Sequence, residues 1–190
     1  MAVTLETPKR RGLEYVSGWR GAVIMTAATV ALAQVSFSIP FSPVPFSLQP
    51  YAIMLTGVLL GKRWGLVSVL QYLMLGAMGA PVFALWRAGL PVLFGHTGGY
   101  LMAYPFAVML IGFLTERLPL PKMNRAFVAC LAGLGVIYTF GCTWLAISTG
   151  GTMSAFQVAI AGAGWFLVWD VLKALVVAQT YALAKRGQEF

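Results

Sequence analysis

The sequence predicts an all-α integral membrane protein of six transmembrane helices with both termini on the cytoplasmic side. Three observations predict it. Of 190 residues, 59% are hydrophobic and 9% charged, against roughly 45–50% and 25% in ordinary soluble domains, and the mean hydropathy is +0.82. So few charges could not cover a water-exposed surface, which excludes most soluble enzymes, disordered chains and DNA-binding domains. The apolar residues gather into six runs near the length a bilayer requires. The basic residues alternate, eleven of thirteen lying in every second connection, as expected of loops retained on the cytoplasmic face.

The chain reads as a single membrane domain, residues 1–190, whose first 20 residues form a cytoplasmic leader carrying Lys9, Arg10, Arg11 and Arg20. The first span is 21–39. Ala31-Leu32-Ala33 resembles a signal-peptide cleavage site, but the basic leader is long and holds Glu6 and Glu14, so the span is expected to remain as an uncleaved helix. Ala27 and Ala31 form a small-xxx-small pattern on it. That pattern lets another helix approach closely, either within the bundle or from a partner. The second span, 48–60, is short and opens with Pro50, which suits a first helical turn. Lys62 and Arg63 follow inside. The third span is 65–82, and the fourth is 99–114, where Pro105 is expected to introduce a kink. Arg117, Lys122 and Arg125 occupy the next inside loop.

The fifth span, 126–148, contains both cysteines. Cys130 and Cys142 are 12 positions apart, about 18 Å along a helix, beyond disulfide reach. They read as small apolar core residues. The sixth span is 155–184, followed by Lys185 and Arg186. The net charge of +8 therefore describes orientation in a lipid membrane rather than nucleic-acid binding.

The outward connections carry unusual chemistry. Residues 38–49 hold three prolines that favour extended backbone. They form either a rigid turn on the membrane surface or a wall over an outward pocket. Residues 79–100 contain five glycines and two prolines. Non-helical backbone at membrane depth is tolerated only where it is buried in protein or lines a cavity. Arg87, beside Trp86, is the one charge in the outward connections, and its planar fork suits a substrate carboxylate. A lipid phosphate would suit it as well. His96 has no companion at ligand spacing, so a loop hydrogen bond is expected and no metal site.

The strongest single signal lies in the last span. Asp170, the one aspartate in the chain, and Lys173 sit deep in an apolar run. At i and i+3 they share a helical face. Charges inside a span are costly, and they mark a function or pair with each other. Trp165, Trp169 and nearby glycines are expected to supply a flat apolar wall beside them. Gln49, Gln71 and Tyr72 are polar residues near span ends, and the last two carry no assigned role. There is no P-loop pattern, no Ser-His-Asp arrangement and no H-E-x-x-H motif, so the chain does not read as an enzyme or as an ATPase in itself.

Four groups of residues, in order along this plan, carry a resemblance. They are Pro43-Val44-Pro45-Phe46-Ser47-Leu48-Gln49, Gly79-Ala80-Pro81-Val82-Phe83, Gly95-His96-Thr97-Gly98-Gly99-Tyr100, and Asp170 with Lys173. The sequence resembles the BioY family, the biotin-capturing S components of energy-coupling factor (ECF) vitamin transporters, over residues 21–184. The resemblance implies a multi-pass protein of the cytoplasmic membrane that captures biotin, alone or with an ECF transmembrane subunit and ATPase subunits, and that needs no cofactor. It implies an outward ligand site of Asp170, Lys173, Arg87, Trp86, Trp169, Gln49, Phe46, Gly98, Gly99 and Tyr100, and a docking motif at Ala27 and Ala31. Two departures stand out. Leu85 and Trp86 replace the glycines usual before the arginine, and His96 stands where proline is usual. From the residues themselves, a proton-coupled small-molecule exporter, or capture of another small carboxylate vitamin, are the alternatives.

Overall fold

The computed structural model describes residues 18–186; Glu6, Lys9, Arg10, Arg11 and Glu14 of the leader lie outside the described residues. Helix α1, Gly18–Ala33, buries Ala22, Met25, Thr26, Thr29 and Ala33. Its polar joint to the next helix is Thr26, whose Oγ1 lies 3.0 Å from the Ser68 carbonyl and 2.9 Å from Gln71 Oε1. The opposite face leaves Val23, Ile24, Ala27 and Ala31 exposed, so the two alanines do not pack inside this bundle.

The first span is shorter than expected, and the fold is not helical throughout. Residues Ser36–Ile39 form strand β1, which pairs antiparallel with β2, Ser42–Ser47. Ser36-Phe37-Ser38-Ile39 alternates serine with apolar residues, a period of two that suits a strand, and the prolines that follow bar a helix. A two-stranded ribbon has free outer edges, where prolines cost no ladder bond.

Helix α2, Gln49–Ala77, is broken at Gly61, whose φ of 69° and ψ of −174° reverse the chain. The arms 49–60 and 62–77 lie against each other. Gly65 sits beside Thr56 and Gly57, and Gln49 reaches Tyr72, although 23 residues of straight helix would separate that last pair by about 34 Å. Pro50 occupies the first turn. The second arm ends at Ala77, before the expected 82, because the chain turns at Gly79 with φ 101°.

A 3-10 turn at Ala84–Trp86 and the short helix α3, Leu90–Phe94, lead to α4, Gly98–Arg117. Helix α4 continues through Pro105 as one helix. Helix α5 is Lys122–Ser148. The last span comprises α6, Ala155–Ala159, a wide π turn at Ile160–Gly164, and α7, Trp165–Arg186. Cys130 and Cys142 are both free. Among the described residues, four helices are long and apolar enough to cross a membrane.

Large side chains fill the centre, Ile53, Met54, Tyr72, Phe83, Ile111 and Ile137 among the fully buried ones. Basic residues gather at one end of the bundle. There Lys62 Nζ lies 3.8 Å from Glu116, and Arg125 Nη1 donates to the Thr115 carbonyl at 3.4 Å. At the other end the hairpin, the 3-10 turn and α3 surround a cavity.

Candidate functional site

The cavity is bounded by the hairpin, the start of α2, the 3-10 turn, α3, α4, α5 and the last span, with mostly apolar walls and a few placed polar groups, as small-molecule sites have. Its floor and one wall come from α7. Asp170 and Phe166 are four residues apart and Asp170 and Lys173 three, so all three project to one face. Asp170 Oδ1 accepts from Lys173 Nζ at 2.7 Å, and Oδ2 accepts from Tyr138 Oη on α5 at 2.6 Å. The paired side chains are 4% and 11% exposed. Lys173 also donates to the Ser47 carbonyl at 2.8 Å and lies 4.2 Å above the Phe46 ring. An ammonium has three donors. Two are engaged by oxygens, and among the described residues no oxygen takes the third.

The hairpin contributes Val44, Pro45 and Ser47 to the roof. A second tether binds it to the last span, where Ser42 Oγ donates to the Ala161 carbonyl at 2.6 Å. That carbonyl is available because the π turn displaces the helical ladder locally. The adjacent Gly162 carbonyl accepts from Tyr100 Oη at 2.8 Å. A Cβ at Gly162 or Gly141 would overlap the Tyr100 side chain, so both glycines make room for this wall.

Gln49 also lines the cavity. Its Oε1 accepts from Ser47 Oγ at 3.2 Å, and its amide donates to Tyr72 Oη, which in turn donates to the Val82 carbonyl at 3.1 Å. Arg87 stands at the rim. It borders both the cavity and a second cleft lined by Pro43, Pro91, Gly95, His96 and Thr97. Among the described residues, no hydrogen bond or ion pair engages its guanidinium. Arg87, Asp170 and Lys173 are the charged lining residues, so the described site carries a net +1 and favours a ligand with one negative charge.

The structure brings five expected residues to the cavity wall: Asp170, Lys173, Arg87, Gln49 and Tyr100. Phe46 touches it through Lys173. The others stand elsewhere. Trp169 is 57% exposed and meets the edge of Phe46, and Trp165 packs on Phe41. Trp169, next to Asp170 in sequence, points about 100° away around the helix. Trp86 is 68% exposed. Gly98 and Gly99 pack: a Cβ would strike the Leu93 carbonyl at the first and Trp144 at the second. They seat α4 against its neighbours, and Thr97 just before them lines the cavity. His96 Nδ1 lies 3.0 Å from Ser148 Oγ, the loop hydrogen bond expected of it.

The sequence reading missed Tyr138, Tyr104, Phe83, Ile137 and Phe166, all lining residues. Phe166 was within reach of the i, i+4 rule applied from Asp170. Tyr138 was not, since an isolated tyrosine in an apolar run gives no sign of the helix it faces.

The chain is similar to known proteins over most of its length. A model of the BioY family matches residues 13–189. The biotin transporter BioY of Thermotoga maritima is 40% identical over 168 residues, 87% of this chain and 94% of the relative. The probable biotin transporter BioY of Pyrococcus horikoshii is 39% identical, over 87% and 92%. A crystal structure of the S-component for biotin from an ECF-type ABC transporter superposes with a TM-score of 0.82 at 25% identity, covering 95% of each chain.

Proposed function

The chain belongs to the BioY family, and from that membership we propose that it captures biotin at the cytoplasmic membrane as the substrate-binding subunit of an ECF-type transporter. The observation that carries the assignment is the buried Asp170–Lys173 pair, with one donor unspent, at the base of a largely apolar cavity. A ureido ring presents two N–H donors and one carbonyl. Asp170 takes an N–H, Lys173 gives its free proton to the carbonyl, and Phe166, Tyr100 and Phe83 enclose the apolar bicycle. The carboxylate tail reaches Arg87 at the rim.

The membrane arrangement follows from the same features. The reversal at Gly61 divides α2 into two crossings, which with α1, α4, α5 and the α6–α7 span makes six. The basic end faces the cytoplasm, and the cavity opens on the other side. The exposed Ala27–Ala31 face of α1 is the surface a transmembrane partner subunit would meet, since small residues permit close helix approach. Calorimetric titration of the purified chain with biotin tests the assignment. Tight one-to-one binding without proton release is expected. Absence of binding, or release of a proton with each ligand, would overturn it.

A further inference from the structure

Arg87 ends a tight loop. The Phe83 N–H donates to the Arg87 carbonyl at 3.1 Å, closing residues 83–87 on themselves. Within the loop Leu85 and Trp86 have φ of 61° and 58°, and they are the non-glycine residues with positive φ among the described residues. The left-handed form costs such a residue the equivalent of roughly five- to thirtyfold in an equilibrium constant. It persists only where the surroundings over-determine it. Burial does not do so at Trp86, which is 68% exposed.

The restraint comes from the corner between α1 and β1. Ser36 Oγ accepts the Leu85 N–H at 2.9 Å, and Gln34 Oε1 accepts the Trp86 N–H at 3.1 Å. The Gln34 amide nitrogen faces the carbonyls of Val82 and Phe83 at 3.2 and 3.4 Å. Each left-handed residue thus has its N–H held by one side chain, and Gln34 also grips the chain entering the loop. Neither Gln34 nor Ser36 lines the cavity or the outer cleft.

We propose that Gln34 and Ser36 are positioning residues for Arg87: they hold the Leu85–Trp86 turn in its left-handed form and so fix the guanidinium at the rim of the ligand cavity. The inference rests on the reading of Arg87 as the partner of the ligand carboxylate. Without the two side chains the turn relaxes to ordinary backbone, and the point from which Arg87 departs moves. The ligand's head, bound by Asp170 and Lys173, is unaffected.

The test titrates the purified full chain with biotin and with biotin amide, whose tail carries no charge. Gln34→Leu weakens biotin about tenfold, the size of one charge-assisted hydrogen bond, and biotin amide by less than about threefold. Ser36→Ala acts in the same direction and less strongly. Replacing both Leu85 and Trp86 by glycine, which adopts positive φ freely, restores biotin binding to Gln34→Leu. A merely structural contact would not be rescued in this way. Biotin amide binding reports folding, and if Gln34→Leu does not fold, Ser36→Ala and its glycine rescue decide. Equal losses for the two ligands, or no glycine rescue, overturn the proposal. Arg87→Ala separates the two levels of the argument. If it does not discriminate the ligands, the carboxylate reading fails; if it does and the Gln34 and Ser36 variants do not, only the positioning role fails.

Discussion

Asp170→Asn, Lys173→Met and their combination test the core of the site. The pair is almost fully enclosed, with side chains 4% and 11% exposed, so removing one partner leaves the other charge buried. Breaking a buried pair costs about 3–5 kcal/mol of stability. In Asp170→Asn the carboxamide still reaches Tyr138, but Lys173 keeps only the Ser47 carbonyl. In Lys173→Met the Ser47 tether of the hairpin also goes, so this variant is expected to be the less stable of the two. The double variant leaves no buried charge and regains most of the loss. Binding behaves differently. Each single variant loses a charge-assisted hydrogen bond to the ligand, about 1.5–3 kcal/mol, or roughly ten- to a hundredfold in affinity, and the double variant does not recover it. Thermal unfolding read beside calorimetric titration separates the two effects. Tyr138→Phe adds a control, since it frees one lone pair of Asp170 without removing a charge; a smaller binding loss than Asp170→Asn is expected. A double variant that is stable and binds biotin as well as the unmodified chain would refute the functional reading and leave the pair as a structural bridge.

Two further predictions concern the surroundings. Ala31→Trp places a large side chain on an exposed face of α1, so biotin binding and folding should survive while uptake driven by a transmembrane partner falls; loss of binding together with uptake would assign that face to the bundle. In a background with Cys130 and Cys142 replaced by alanine, a cysteine at Thr152 should react with an impermeant reagent added outside and one at Asn124 should not, and the reverse pattern would invert the proposed orientation.

The helices and the site were legible in the sequence to different degrees. Apolar runs announce helices because lipid admits few polar residues, and Asp170 and Lys173 announce themselves because they are rare there. The reversal at Gly61 was legible as a boundary between runs, flanked by Lys62 and Arg63. The hairpin was legible as extended chain but not as a pair of strands, since pairing depends on a partner that local sequence does not name. The π turn at Ile160–Gly164 left no signal beyond small residues. Trp165 and Trp169 mislead because nearness in sequence to Asp170 is not nearness on the helix face. Leu85 and Trp86 are more instructive. The positions where the resemblance leads one to expect glycine are the ones that adopt positive φ, so the backbone need was visible as a departure. Its solution by Gln34 and Ser36, about 50 residues earlier, was not.

The depth at which each charge sits bears on which way a ligand enters. Asp170 and Lys173 neutralise each other where desolvation is most expensive, and both retain capacity for neutral polar partners. Arg87, which no described residue neutralises, stands at the exposed rim, where water can solvate it while the cavity is empty. An ionised carboxylate placed at the floor would meet Asp170 at short range and raise the cost of an already expensive region. The same carboxylate at the rim meets a cation whose charge it complements. An uncharged ureido head at the floor exchanges hydrogen bonds without importing charge. On the proposed reading of the site, the order of charges along the cavity favours ligands that are polar but neutral at one end and anionic at the other, with the neutral end at the floor.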